Sequence, residues 1–172
     1  QGWRILVVDN DEATSAKAVV DSARRKSVVP LSYKAEPKPG FATVRNAALK
    51  AAGDASAVCF LDDDAVVPPN WIAVMRQAHE RSPLAIVRSR YIHLAEIPDT
   101  PADAADAIGG LETLHHYYPA GTSGLLLPIH VLGQRSFDPY YDQSGGEDLD
   151  LLLRLERSGI QTVVVDALVF EE

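Results

Sequence analysis

The sequence predicts an α/β domain with a central, mostly parallel sheet flanked by helices. Short apolar runs rich in valine, leucine and isoleucine alternate with stretches whose apolar residues recur at helical spacing. Carboxylates gather where two of those runs end: Asp9 and Asp11 after one, Asp62, Asp63 and Asp64 after another. In open α/β sheets ligands bind beyond the carboxyl ends of the strands, so both acidic groups are expected to face one crevice.

The elements follow in order. A first strand is expected over 4–8, and Thr14 to Lys26 then sets Ala16, Val19, Val20 and Ala23 on one helical face. A strand over 28–34 leads to a helix over 41–52 carrying Phe41, Val44, Ala48 and Ala52, with Gly53 as its stop. The run Ala57-Val58-Cys59-Phe60-Leu61 is read as a buried strand over 56–61, and Asn70 as the cap of a helix carrying Ile72, Met75 and Ala78. Trp71 is read as a core aromatic at that helix start. Further strands are expected over 84–92, 121–127 and 161–165. A helix over 147–158 opens with acids, closes with Arg154 and Arg157, and is stopped by Gly159, as the helix dipole favours. The stretch Glu96 to Gly110, rich in proline, alanine and aspartate, is expected to be a mobile loop or short helix over the site.

At 172 residues with 47% apolar content, the chain suits one domain, 1–172, with a single core. Because it opens almost directly on a strand and stops soon after another, the fold is expected to be truncated at both ends. No apolar run approaches the roughly 20 residues needed to span a bilayer, and no signal peptide is visible. A net charge of −8 argues against a nucleic-acid partner, which requires a basic stripe. Cys59 is the only cysteine, so no disulfide framework exists and a reduced, cytoplasmic setting is expected. Peripheral association at the inner face of the plasma membrane would come through partners or the missing ends, since no basic amphipathic helix is evident.

Three adjacent carboxylates at the end of a buried strand repel one another, and a divalent cation relieves that repulsion. Hard oxygen donors suit Mg²⁺ or Mn²⁺, the ions that accompany phosphates. The bland alternative is an acidic turn before the next helix. A second acidic cluster, Gly145-Gly146-Glu147-Asp148, tips the balance toward chemistry, although first-turn acids also stabilise a helix by themselves. Arg45 and Asn46, read alone, are a solvated helix face. His115-His116 with Tyr117-Tyr118 could line a sugar groove, but adjacent histidines do not share a helix face and are not read as a metal pair. A phosphoacceptor receiver domain opens with a similar strand, but its site also needs a late lysine, and no lysine follows Lys50. The chain also has about 50 residues more than such a domain usually carries.

Taken end to end, the sequence resembles family 2 glycosyltransferases of the GT-A fold, most of all bacterial exopolysaccharide enzymes of the succinoglycan glucosyltransferase kind. The resemblance rests on Val7-Val8-Asp9-Asn10-Asp11, Pro39-Gly40-Phe41-Ala42-Thr43-Val44-Arg45-Asn46, Phe60-Leu61-Asp62-Asp63-Asp64 with Pro69-Asn70-Trp71, Gly121-Thr122-Ser123-Gly124, Phe137-Asp138-Pro139, and Gly145-Gly146-Glu147-Asp148-Leu149-Asp150. It implies that Asp9 and Asp11 contact the uracil or ribose of a UDP-type donor, and that Arg45 and Asn46 hold the nucleotide and its phosphates. The triplet corresponds to the family's DxD motif, with Asp62 and Asp63 on the nucleotide side and Asp64, together with Asp62, on Mn²⁺ or Mg²⁺. Asp148 corresponds to the catalytic base, Glu147 to a binder of acceptor or donor hydroxyls, and Glu171 to a possible further metal ligand. The implied reaction is inverting transfer of a hexose from a nucleotide diphosphate sugar to a glycan or lipid-linked saccharide. Such a transfer needs a carboxylate to take the acceptor proton and a cation to steady the departing diphosphate. Gly121-Thr122-Ser123-Gly124 departs from the family's threonine-glycine-asparagine pattern, which leaves the acceptor open. The alternatives are a non-catalytic nucleotide- or carbohydrate-binding module on the same scaffold, and a sugar-nucleotide nucleotidyltransferase.

Overall fold

The computed structural model describes residues 2–93 and 121–171. Its elements in chain order are β1 (Ile5–Asp9), α1 (Ala16–Arg24), β2 (Leu31–Ala35), α2 (Phe41–Ala51), β3 (Ala57–Phe60), α3 (Trp71–Arg81), β4 (Ile86–His93), β5 (Leu125–Pro128), α4 (Ile129–Leu132), α5 (Glu147–Arg157) and β6 (Thr162–Glu171). The α/β expectation therefore holds, and the predicted helices fall within a few residues of their observed bounds. The chain divides into two compact units, Gln1–Ala55 with Arg135–Leu151, and Ser56–Gln134 with Leu152–Glu172.

In the first unit β1 and β2 pair in parallel, from Ile5 beside Leu31 to Asp9 beside Ala35, with α1 as the crossover. Val20 is its buried anchor. The second helix of the unit, α2, buries Ala42 and Ala47, small residues that let it approach closely. Phe137, from the returning segment, is fully buried.

In the second unit the sheet order is β3-β5-β4-β6. Here the expectation of a mostly parallel sheet needs correction: β5 runs antiparallel to both β3 and β4, and only β4 and β6 are parallel. All four residues of β5 are buried. A strand buried on both faces reads as a continuous apolar run whichever way it points, so composition could not reveal its direction. The last strand also extends well past its expected end at 165. A register shift between Arg88 and Arg90 takes up the extra residues near Asp166, which is exposed and pairs with Arg90 at 3.1 Å. Beyond that bulge Val169 and Phe170 are fully buried.

Asn70 does not cap α3 through its side chain. Its backbone is helical (φ −91°, ψ −3°), not in the extended conformation from which a cap side chain reaches the first turn. Trp71 is a core residue as expected, 5% exposed, and its Nε1 donates to Ser89 Oγ at 2.7 Å. Gly159 ends α5 in a Schellman arrangement, with Ile160 N donating to Leu155 O and Gly159 N to Glu156 O.

Gly124 is fixed by two constraints. Its φ is +75°, and a Cβ there would lie 2.7 Å from Ser89 Cβ and 2.8 Å from Val169 Cγ2. Gly124→Ala is therefore expected to lower stability by about 2–4 kcal/mol, combining left-handed strain with overpacking. A drop in the urea midpoint at unchanged slope would register it.

Candidate functional site

In the first unit the end of β1 organises a tight turn. Asp9 is buried, and its carboxylate accepts from Asp11 N (3.1 Å), Ala16 N (3.2 Å) and the Tyr33 hydroxyl (2.8 Å). Asp11 accepts from Ala13 N and Ser15 N. Hydrogen bonds from Ser15 first, then from the Ala13 amide, hold the Asp11 carboxyl below its usual value. Burial, then the hydrogen bond and charge of Asp9, push the Tyr33 phenol up. Thr14, inside this turn, sits at φ +53°, where a β-branched residue is strained. The two aspartates thus supply acceptors to the start of α1, because Ser15 at its N-cap makes no side-chain cap bond. A carboxylate offers about four acceptor sites, so this local role leaves room for a ligand contact as well.

The start of α2 is held from afar. Gly40, at φ +139°, brings no acceptor side chain to its N-cap position, and a Cβ there would overlap the Asp142 carboxylate. Asp142 fills the cap instead: Oδ1 accepts from Thr43 N at 2.8 Å, Oδ2 from Thr43 Oγ1 at 2.7 Å, and its carbonyl from Phe41 N. Asn10 steadies the same entry, accepting from Gly40 N and donating to the carbonyls of Glu36 and Lys38. Sequence reasoning missed Asn10, Thr43 and Asp142. A helix start with only glycine at the cap was the available sign that a partner must arrive from elsewhere.

Burial pushes the Asp142 carboxyl up, but the Thr43 hydroxyl and amide, with the Lys38 charge, outweigh it and hold the group below its usual value. Its contribution to stability is therefore complete above the unfolded value near ~3.9 and is lost as pH falls through the lower folded value. Asp142→Asn should flatten the melting temperature against pH on the acid side, between about pH 2 and pH 5. A slope unchanged from the parent would remove Asp142 from that role.

Asn46 is committed to the backbone of Phe137, donating from Nδ2 to Phe137 O at 2.8 Å and accepting at Oδ1 from Phe137 N at 3.0 Å. Arg45, one residue earlier on α2, forms an ion pair with Glu147 Oε1 and lies over the Phe41 ring at 5.8 Å. Glu147 is 2% exposed, and its second oxygen, Oε2, is buried without a hydrogen-bond partner among the described residues. Asp148, the next residue, is only half-buried, and its Oδ1 accepts from Leu149 N at 2.7 Å. Gly145 and Gly146 enter this turn at φ +72° and +95°, which explains the glycine pair.

In the second unit β3 delivers the aspartate triplet into a turn closed by Ala65 N donating to Asp62 O at 3.3 Å. Asp62 is half-buried and its amide donates to Ser123 Oγ at 3.3 Å, while Asp63 and Asp64 are exposed. Gly124 N donates to Phe60 O, which ties the 121–124 segment to the end of β3. Thr122 is 1% exposed and its hydroxyl is buried without a partner among the described residues. An antiparallel bridge between Val66 and Phe170 ties the backbone near the end of β6 to the segment just after this turn. The side chain of Glu171 lies outside the described residues, as do Glu96 to Gly110 and His115 to Tyr118.

Among the described residues no three His, Cys, Asp or Glu side chains converge into a protein cage for a metal. Burial pushes the Cys59 thiol up to about 12, so β3 offers no thiolate. What remains at the turn is hard carboxylate oxygen, largely open to solvent. That donor set fits a Mg²⁺- or Mn²⁺-like ion bound by one or two carboxylates and completed by a ligand's phosphates. No helix among the described residues is long and apolar enough to cross a membrane.

Comparison with solved structures gives the fold a context. The chain is similar to GalNAc-T7 crystallised with UDP, GalNAc and Mn²⁺, with 15% identity and a TM-score of 0.68 over 98% of this chain and 37% of that one. It is equally similar to TarS of S. aureus, with 13% identity and a TM-score of 0.69 over 98% of this chain and 30% of TarS. The 1–349 form of TarS with UDP matches at 14% identity and a TM-score of 0.68, over 97% of this chain and 50% of that one. These matches show the GT-A fold, and the chain spans half or less of each of these proteins. No curated protein matches the chain. The family model for glycosyl transferase family 2 matches residues 1–130, and the chain belongs to that family.

Proposed function

We propose that the protein transfers a hexose from a nucleotide diphosphate sugar, UDP-linked, to a glycan or lipid-linked saccharide, with inversion and with a divalent metal. The family membership carries the transferase reading, and neighbours crystallised with UDP support the donor class. Mn²⁺ in one of them supports the metal. The single observation of this chain that carries most weight is the open carboxylate turn at the end of β3, with Asp62 tethered and Asp63 and Asp64 exposed.

In this reading Asp64 and Asp62 hold the ion, Asp63 and Asp9 contact the nucleotide, and Glu171 adds a ligand. When bound, the ion supplies charge to stabilise the departing diphosphate. Asp148, half-buried at the head of α5, takes the proton from the acceptor hydroxyl as that oxygen attacks the anomeric carbon. The bond from that carbon to the diphosphate oxygen breaks as the new glycosidic bond forms. Exopolysaccharide synthesis at the inner face of the plasma membrane, with a lipid-linked acceptor, fits that substrate class.

A panel of nucleotide sugars, each with and without Mn²⁺, tests the donor class by thermal shift. A UDP-hexose should raise the melting temperature by several degrees only with metal present, since a ligand at ~100 times its Kd adds about 2.7 kcal/mol. No shift with any uridine nucleotide would refute the donor assignment.

A further inference from the structure

We propose that Arg45 and Glu147 form a clamp that positions the first turn of α5, and that Glu147 acts through Asp148 instead of binding a sugar hydroxyl. The inference rests on the base role proposed for Asp148. Glu147 is 2% exposed, and its side chain pairs with an Arg45 side chain that is itself only 15% exposed. Asp148 follows it directly yet is half-buried. Successive helical residues point about 100° apart, so a side chain fixed inward at 147 determines where the one at 148 emerges.

The clamp is needed because of how this turn is entered. Gly145 and Gly146 both have positive φ, a permissive pair that does not define the entry angle by itself. The helix closes on them through Asp150 N donating to Gly146 O at 3.0 Å, and Gly145 N donates to Tyr141 O at 3.1 Å. The buried ion pair from Glu147 to Arg45 on α2 supplies a constraint at the first turn. Arg45 lies between Thr43, capped by Asp142, and Asn46, locked to Phe137. It therefore projects from a helix held on both sides, a rigid base for positioning. A buried pair is a weak source of net stability, but removing one partner strands the other charge. That asymmetry makes it suited to fixing a geometry. Glu147 Oε2, without a hydrogen-bond partner among the described residues, is sealed from solvent, so it is not presented to an incoming sugar.

The test uses the full-length protein with Glu147→Gln, Arg45→Met, the double variant and Asp148→Asn. Hydrogen exchange of the amides at 148–151 reads the clamp without any activity. Glu147→Gln and Arg45→Met should each speed that exchange about tenfold or more, and the double variant no more than either alone. Hydrolysis of the UDP-hexose that gives the thermal shift reads the consequence. Each single variant should lower kcat about 10–100-fold with KM within about twofold, because ground-state binding is untouched. Arg45→Lys, which keeps the charge, should recover part of kcat, and it stands in for Arg45→Met if the latter fails to fold. Unchanged exchange in both single variants overturns the clamp. A tenfold rise in KM at constant kcat overturns it too, assigning Glu147 to the sugar or Arg45 to the phosphates. If Asp148→Asn stays active while exchange responds as expected, the base assignment fails and the clamp stands as a structural pair only.

Discussion

Asp148→Asn should reduce kcat by roughly 10²–10⁴, the usual worth of a positioned general base, and leave the Kd for UDP-hexose with Mn²⁺ within about twofold. Asparagine keeps the shape and can still accept the Leu149 amide at its carbonyl oxygen, so the turn that now holds Asp148 Oδ1 at 2.7 Å is preserved. What it loses is a site for the acceptor's proton. Steady-state transfer assays beside calorimetric titration of the donor separate the two quantities. A large loss of donor affinity at normal kcat would remove Asp148 from the base role. Activity equal to the parent would likewise take the base role away from Asp148, whereas donor binding without transfer by the parent itself would leave the chain closer to a non-catalytic nucleotide-binding module on a transferase scaffold.

The second large effect is expected from Asp64→Ala. Asp64 is exposed on the turn after β3, so its loss should leave the fold intact while removing the metal ligand proposed there. Mutating mere supports of metal ligands already costs 10–100-fold in affinity, so losing the ligand itself should cost at least ~100-fold in Mn²⁺-dependent UDP binding. Titration heats with UDP in Mn²⁺ should fall to the level seen with chelator, and the melting temperature without nucleotide should stay within about 2 °C of the parent. Heats indistinguishable from the parent would move the metal away from Asp64. Ser123→Ala is a useful companion. It removes the hydroxyl that holds the Asp62 amide and should weaken binding far less, because the carboxylates themselves remain.

Much of this fold is written locally in the sequence. The helices were legible because apolar spacing and stop glycines are local: Gly53 follows α2 at φ +59°, and Gly159 closes α5. The acidic turn after β3 was legible for the same reason, since an apolar run that ends in three aspartates is a contiguous pattern, although only Phe60 of that run is buried. Family resemblance was carried by short segments in a fixed order, and the match over residues 1–130 agrees with it.

The tertiary structure decided whatever depends on residues distant in sequence. The direction of β5 was hidden because a run buried on both faces looks the same either way. The cap of α2 came from Asp142, 99 positions beyond Thr43, and no local propensity encodes such a partner. The bonds of Asn46 to the Phe137 backbone and of Arg45 to the buried Glu147 likewise join residues about 90 to 100 positions apart. The sequence by itself thus determined which elements form and which carboxylates end them, because backbone preference and apolar periodicity act over a few residues. Only the folded chain decided which of its charged groups face each other and which remain available to solvent, because burying a charge is tolerable only where chain topology supplies a partner.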